Sequence, residues 1–256
     1  MPPKVAKRKI SKKTPQKSRV RMAPSQRREL ILAGAIDYFA ELGFTGKTRE
    51  LSERLGITQP LLYRYFPSKQ VLMEEVFEII FLDSWQKEWD ALLENSSIPL
   101  KKRLVTFYQQ YFEDSFSRRW IRVYLYSGLA GTGMNQKYLK MIRQRLIDPV
   151  CMALRALCSD DKNWGPISDD EREFVWVLHG SFFAYATRKY IFNHETKINF
   201  EGYLTRSIEN FLDGAKPTIL SYAQLRPLVS FFNPFITRLF LKPHSSPILC
   251  ILHLRF

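Results

Sequence analysis

Between Leu42 and Lys69, glycine, threonine and proline recur so closely that the chain has room only for short helices. Leu30, Ala33, Ile36, Phe39, Ala40 and Leu42 fall near helical spacing and Gly43 follows them. A first helix is therefore expected over residues 25–42, with the glycine as its stop. Thr48 is placed to cap a second helix running through Leu51 and Leu55, closed by Gly56. Thr58 caps a third, in which Pro60 is tolerated because the first helical turn has no intrahelical N–H partner to lose. Two short helices joined by a tight glycine turn form a helix-turn-helix, the unit whose second helix enters a DNA major groove.

Chemistry on the third helix fits that use. Leu62 and Phe66 are four apart and face inward, which leaves Gln59, Leu61, Tyr63, Arg64 and Tyr65 on the outer surface and flanks. Tyrosine hydroxyls and a guanidinium donate to phosphate oxygens. Gln59 can bond an adenine edge, and Leu61 can touch a thymine methyl. Ordinary core packing is the alternative reading of this aromatic cluster.

Charge points the same way. Lys and Arg number 39 against 25 Asp and Glu, a formal net charge of +14 that favours a polyanionic partner, nucleic acid or an acidic membrane surface. Nine of the cations lie between Lys4 and Arg21, and the first carboxylate of the chain is Glu29. Residues 1–24 read as a disordered basic arm, either a solubilising tail or an arm that lies along DNA and gains affinity by releasing counterions. Three cysteines, Cys151, Cys158 and Cys250, show no framework spacing, so a reducing cytoplasm is expected, with core packing as the role of Cys151 and Cys158 rather than metal or redox work. No cleavable signal is legible at the charged N-terminus.

The segments "FAELGF", "TRELSERLGITQP" and "LLYRYFPSK" carry a resemblance. From Arg28 to about Phe77 the order of helix, Gly-aromatic turn, helix, Gly-apolar turn, recognition helix and Ser-Lys start of a fourth helix resembles the tetracycline-repressor-like (TetR) family of bacterial transcription regulators. That resemblance implies an all-α fold, with an N-terminal three-helix helix-turn-helix DNA-binding domain and a helical ligand-binding and dimerisation domain. It implies a ligand-responsive repressor, binding a palindromic double-stranded DNA operator as a homodimer and responding to a small-molecule effector in the cytoplasm. Thr48, Thr58, Tyr63, Tyr65 and Lys69 match the family's phosphate-contacting positions. Arg49, Gln59, Pro60 and Leu61 match base-facing ones, and Arg64 could do either. Arg49 has the fork that suits guanine O6 and N7, with a helix-surface ion pair to Glu53 as its other role. Lys69 follows Ser68 as cap, where dipole and ammonium both attract a phosphate.

Domains are expected at 25–70 for DNA binding and 71–216 for regulation and dimerisation, with an apolar extension of unassigned role over 217–256. Further helices are expected at about 69–94, 98–115, 117–130, 135–158, 169–193 and 199–213, with a kink at Asp148-Pro149 and a capping box from Ser168 to Glu171. By resemblance, Phe174, Val177, Leu178, Phe182, Phe183 and Tyr185, with the small Gly180, Ser181 and Ala184, pair with Tyr203, Ile208, Phe211 and Leu212 in a four-helix dimer interface. A body cavity is expected among Tyr108, Tyr111, Trp120, Tyr124, Tyr126, Trp176 and His179, a lining suited to apolar or aromatic ligands, coupled to DNA through the fourth helix.

Enzyme, cofactor and metal chemistry find no support. The four histidines are scattered, no His or Cys cluster has metal spacing, and Asp160-Asp161 and Asp169-Asp170 read as solvated turn and cap residues. Two other classes remain open at this stage, a nonspecific DNA-coating protein using the arm and a peripheral membrane protein using the apolar tail. Within that tail Arg226, Arg238 and Lys242 interrupt any span, and prolines at 227, 234, 243 and 247 argue against a long helix.

Overall fold

The computed structural model describes residues 22–158, 164–195 and 197–240, with side chains up to Tyr222. Most of the basic arm, Asp160-Asp161, and the tail from residue 241 with Cys250, His244 and His253 lie outside the described residues. Those described form an all-helical fold. No helix among them is long and apolar enough to cross a membrane.

One long helix and two short ones build the N-terminal unit. Helix α1, Pro24–Leu42, buries Ile31, Leu32, Ala35, Tyr38 and Phe39 along one face. It stops at Gly43, whose φ of +71° is the left-handed conformation that a β-carbon resists and whose N–H bonds the Phe39 carbonyl at 2.9 Å. Helix α2, Thr48–Arg54, and helix α3, Gln59–Tyr65, follow, separated by Gly56 at φ +62°. Leu51, Leu62 and Phe66 are at most 1% exposed and pack under α1. Each such side chain contributes about 1.5–3 kcal/mol by leaving water. Thr58 caps α3 as expected, its Oγ1 accepting from the Leu61 N–H at 3.4 Å. Thr48 does not cap α2. Lys47 occupies the capping position without a side-chain bond, and Thr48 is the first helical residue.

The helix expected over 69–94 is interrupted. Helix α4, Lys69–Phe77, starts at Ser68, whose Oγ accepts from Val71 N–H at 3.1 Å. It widens into a π turn at Glu78–Leu82, closed by a bond of 2.9 Å from Asp83 N–H to the Glu78 carbonyl. The chain then leaves the helix because the Ser84 hydroxyl takes the Ile80 carbonyl at 2.9 Å, competing with the backbone for that acceptor. Helix α5, Lys87–Glu94, follows, and Trp85 and Trp89 are both buried against Phe107 and Tyr111.

Helices α6, Leu100–Ser115, and α7, Arg118–Leu129, lie close to the expected spans. The expected helix 135–158 is split into α8, Met134–Ile142, a second π turn at Arg143–Ile147, and α9, Asp148–Cys158. Pro149 explains the split, since its ring crowds the carbonyl four residues back and it has no N–H to give. Helix α10, Asp169–Tyr190, opens with the capping box: Glu171 N–H bonds Ser168 Oγ at 3.3 Å and Ser168 N–H bonds Glu171 Oε2 at 2.7 Å.

Helix α11 departs most from expectation. It does not end near residue 213 but runs over Phe200–Phe240, through Pro217, Pro227 and Pro234. Proline withdraws one donor and displaces one carbonyl at each site, and here the helix continues past those losses. Ala215 and Ile219 are buried on either side of Pro217, so core contacts hold this stretch in place.

One core joins both parts of the molecule. α7 packs along α1, and α11 packs along α6, α9 and α10. Cys151 is wholly buried in it and Cys158 partly so, both as free thiols.

Candidate nucleic-acid interface and body cavity

Thr48, Gln59 and Tyr63 meet in a hydrogen-bonded group that braces α2 against α3. Thr48 Oγ1 lies 2.9 Å from the Tyr63 hydroxyl and accepts from Gln59 Nε2 at 3.1 Å. Thr48 is buried and Gln59 half-buried, so both spend polar capacity on the joint, while Tyr63 stands 37% exposed at its rim. The expected picture of five outward side chains on α3 is therefore only partly met. Arg64, Thr58 and Pro60 are exposed, Leu61 is half-buried, and Tyr65 is half-buried with its ring against the core.

Arg49 makes the ion pair with Glu53, Nε to Oε1 at 3.1 Å, and the two side chains are 81% and 65% exposed. A pair that exposed is worth about 0–1 kcal/mol, so the guanidinium is easily claimed by another acceptor. Lys69 is more firmly engaged. Its Nζ donates to the Phe44 carbonyl at 2.6 Å, and burial pulls the ammonium's pKa below its ordinary value. The cation thus completes the α1–α2 turn at the foot of α4 as well as standing beside the helix-turn-helix.

Two further residues organise this surface. The Tyr38 hydroxyl donates toward the Lys47 carbonyl at 3.0 Å and Glu50 Oε2 at 3.1 Å, fixing the start of α2, and Arg54 lies 5.1 Å over its ring. Arg28 pairs with Glu75 and sits 5.1 Å over Phe66, tying α1 to α4. Nothing in the local spacing of Tyr38 or Arg28 separates them from plain core and surface residues.

Helix α7 carries two faces. On one, Arg122 Nη2 donates to the Glu41 carbonyl and the Tyr126 hydroxyl, each at 2.8 Å, and its Nε donates to the Ala40 carbonyl. Arg119 pairs with Asp37 on the same side. These bonds satisfy carbonyls at the C-terminal end of α1 that have no intrahelical partner. On the opposite face, Trp120 and Tyr124 line a cavity of about 180 Å³.

Trp176 and His179 of α10 line that cavity too, as expected, together with Phe116, Tyr138, Leu139, Gly180 and Phe183, which the spacing did not single out. Tyr111 and Tyr126 are not in the wall. Tyr111 is buried behind it, its hydroxyl bonded to that of Tyr138, and burial drives its pKa up. Tyr126 faces α1. Tyr108 is buried as well, its hydroxyl 3.4 Å from His179 Nδ1. Burial lowers the His179 pKa to about 4, so the imidazole is neutral near pH 7. The widening of α4 into its π turn places Phe81 against Trp120, Tyr124 and Tyr138, so the helix leaving the N-terminal unit abuts the cavity wall.

Several residues expected at a dimer interface are buried inside the protomer: Leu178, Phe182, Tyr185, Ile208 and Phe211. What α10 leaves outward is Val177, 71% exposed, with Gly180 and Ala184 at helical spacing on the same face.

Comparison with known proteins agrees with this geometry. Residues 31–76 match the model for bacterial regulatory proteins of the tetR family. An HTH-type transcriptional repressor, KstR2, of Mycolicibacterium smegmatis is 32% identical over 104 residues, 40% of this chain and 49% of that protein. The class C tetracycline repressor protein of Escherichia coli is 26% identical over 88 residues, 31% of this chain and 40% of the repressor. The chain thus spans about half the length, or less, of these curated relatives. A tetR-family transcriptional regulator from Streptomyces coelicolor has the same fold, with a TM-score of 0.55 at 18% identity over 85% of this chain and 97% of that one. So does a TetR-like transcriptional regulator from Rhodococcus sp. RHA1, with a TM-score of 0.55 at 20% identity over 76% and 100%. The N-terminal helix-turn-helix unit thus matches the model for bacterial regulatory proteins of the tetR family, and the helical body that follows shares the fold of solved regulators of that family.

Proposed function

We propose that the protein is a transcriptional regulator that binds an operator in double-stranded DNA as a homodimer and answers to a small-molecule effector held in its body. The observation that carries this is the outer surface of α3 and the start of α2. Thr58, Pro60, Tyr63 and Arg64 stand exposed there, and Arg49 beside them is held only by an exposed ion pair. Tyr63, Thr58, Tyr65 and Lys69 serve phosphates, which set register. Arg49, Gln59, Pro60 and Leu61 face base edges, and Arg64 reaches either. Thr48 acts by holding Tyr63 and Gln59 in place, and DNA competes for its hydroxyl.

The relatives support this reading, since their names describe a transcriptional repressor and a tetracycline repressor protein. Homodimerisation is supported by the outward face of Val177, Gly180 and Ala184, whose small side chains let a second α10 approach closely. Such a pair sets two α3 helices about 34 Å apart, in successive major grooves. An effector in the cavity presses on α7 and Phe81, both of which bear on the N-terminal unit.

Footprinting the purified chain on genomic fragments tests the proposal. Protection confined to short near-palindromes, with half-sites one helical turn apart, is the expected result. Uniform protection regardless of sequence refutes it.

A further inference from the structure

Lys47 stands where a capping side chain belongs at the start of α2 and has no oxygen to offer, so the helix begins without a side-chain cap. What holds this end comes from below. Tyr38 of α1 is 2% exposed, and its hydroxyl bonds the Lys47 carbonyl at 3.0 Å and Glu50 Oε2 at 3.1 Å, one group on the capping residue and one in the first turn. The ring fills the space under the preceding turn as well. A β-carbon on Gly46 would lie 2.5 Å from Tyr38 Cε1 and 2.8 Å from its hydroxyl oxygen, closer than side chains approach, so the turn seats on the ring only because residue 46 is glycine.

Arg49 is the second residue of that first turn, and its side chain is 81% exposed with only the Glu53 pair to hold it. A side chain so loosely held takes its position from its backbone. The rest of the head is anchored independently. Arg54 clamps the far end of α2 to Glu41 at 2.8 Å, Leu62 and Phe66 seat α3 in the core, and Lys69 bonds the Phe44 carbonyl at 2.6 Å. Thr48 ties the first turn sideways to Gln59 and Tyr63. Without the Tyr38 hydroxyl the turn can tilt about the Thr48 bonds, which carries Arg49 away while the groups on α3 and α4 keep their places. Both prongs of a guanidinium meet a base edge only in a narrow geometry, so the tilt costs preference at one base pair more than it costs phosphate contacts.

We infer that Tyr38 is a positioning residue for sequence readout: its buried hydroxyl sets the height of the first turn of α2 and so the reach of Arg49 to a base pair. This rests on the operator reading above and extends it to a residue that touches no DNA.

The test uses the full chain and its footprinted operator with each base pair substituted in turn. Arg49→Ala marks the pair that Arg49 reads. Tyr38→Phe, which keeps the ring, is expected to lower the preference at that pair about fivefold, the worth of one buried hydrogen bond, with affinity for non-operator DNA unchanged. Combined with Arg49→Ala it should have no further effect at that pair, a coupling that a general loss of stability would not produce. Gly46→Ala, which presses a β-carbon on the ring, should disturb the same pair. Loss spread evenly over all operator positions, or full preference at the Arg49 pair, overturns the inference, and either variant alone decides it should the other fail to fold. A wild-type chain without sequence-specific footprints sinks the operator reading and the inference with it, whereas sharp wild-type footprints with an even loss in Tyr38→Phe sink the inference alone.

Discussion

At the scale of single residues, much of the interface is engaged in holding itself together. Tyr63 makes its hydroxyl bond to Thr48 in the unbound protein, so Tyr63→Phe removes both that brace and a phosphate donor. It should weaken binding to every sequence alike and reduce the slope of affinity against salt, read by gel shift across a salt series. Arg49→Ala should instead lose about 1–3 kcal/mol of preference at one base pair, with no loss of stability beyond that of an exposed pair. Away from DNA, Arg155 and Glu171 form an ion pair with side chains only 4% and 1% exposed. Burial alone would raise the Glu171 carboxyl, but the guanidinium and the Ser168 N–H and hydroxyl outweigh it and bring the pKa from 4.5 down to about 2. A carboxylate depressed on folding contributes stability above its unfolded pKa, and that contribution is lost as pH falls from about 4.5 toward 2. Glu171→Gln should cost about 3 kcal/mol at pH 7 and leave a protein whose stability changes less over that acid range, measured by urea titration. Leu62 and Phe66 fix which side of α3 is inward, so Tyr63 and Arg64 were legible as outward, while the half-burial of Gln59, Leu61 and Tyr65 was not. Nor was the inward duty of Thr48, because its partners lie eleven and fifteen residues away across the turn.

Elements show where local pattern reaches its limit. Glycine stops after α1 and α2 and caps at Thr58, Ser68 and Ser168 stand where the sequence puts them, since each depends on backbone chemistry within four residues. The interruption after α4 was hidden, because Ser84 turning back on Ile80 leaves the apolar periodicity intact. Helix α11 erred the other way. Proline argued for an end, and tertiary contacts at Ala215 and Ile219 carried the helix through Pro217. α7 is the element with the clearest consequence for the proposed coupling, since it grips the C-terminal end of α1 through Arg122. Arg122→Ala should leave the body folded, lower protection of α1 amides in hydrogen exchange by about tenfold for each 1.4 kcal/mol lost, and reduce the effect of any effector on DNA affinity. Undiminished coupling in that variant would assign transmission to α4 and Phe81 instead.

The whole molecule is a small helix-turn-helix unit seated on a larger helical body, and the proposed function requires two copies of it. The exposed stripe of Val177, Gly180 and Ala184 is the contact face proposed for the second copy. Val177→Glu should yield monomers by analytical ultracentrifugation, keep the helical circular dichroism, and lose most operator affinity, because a single head contacts one half-site only. Retained dimers would move the interface elsewhere on the surface. The all-helical architecture was readable from uninterrupted apolar periodicity. The division of residues between core and contact face was not, since Phe182 and Val177 are equally apolar and only packing sends one inside. Along α7, the side chains that touch the cavity and those that clasp α1 are disjoint sets on opposite sides of one rod. If the cavity holds the proposed effector, a lineage could therefore retune what is sensed by changing Trp120 or Tyr124 alone, and keep the output wiring untouched.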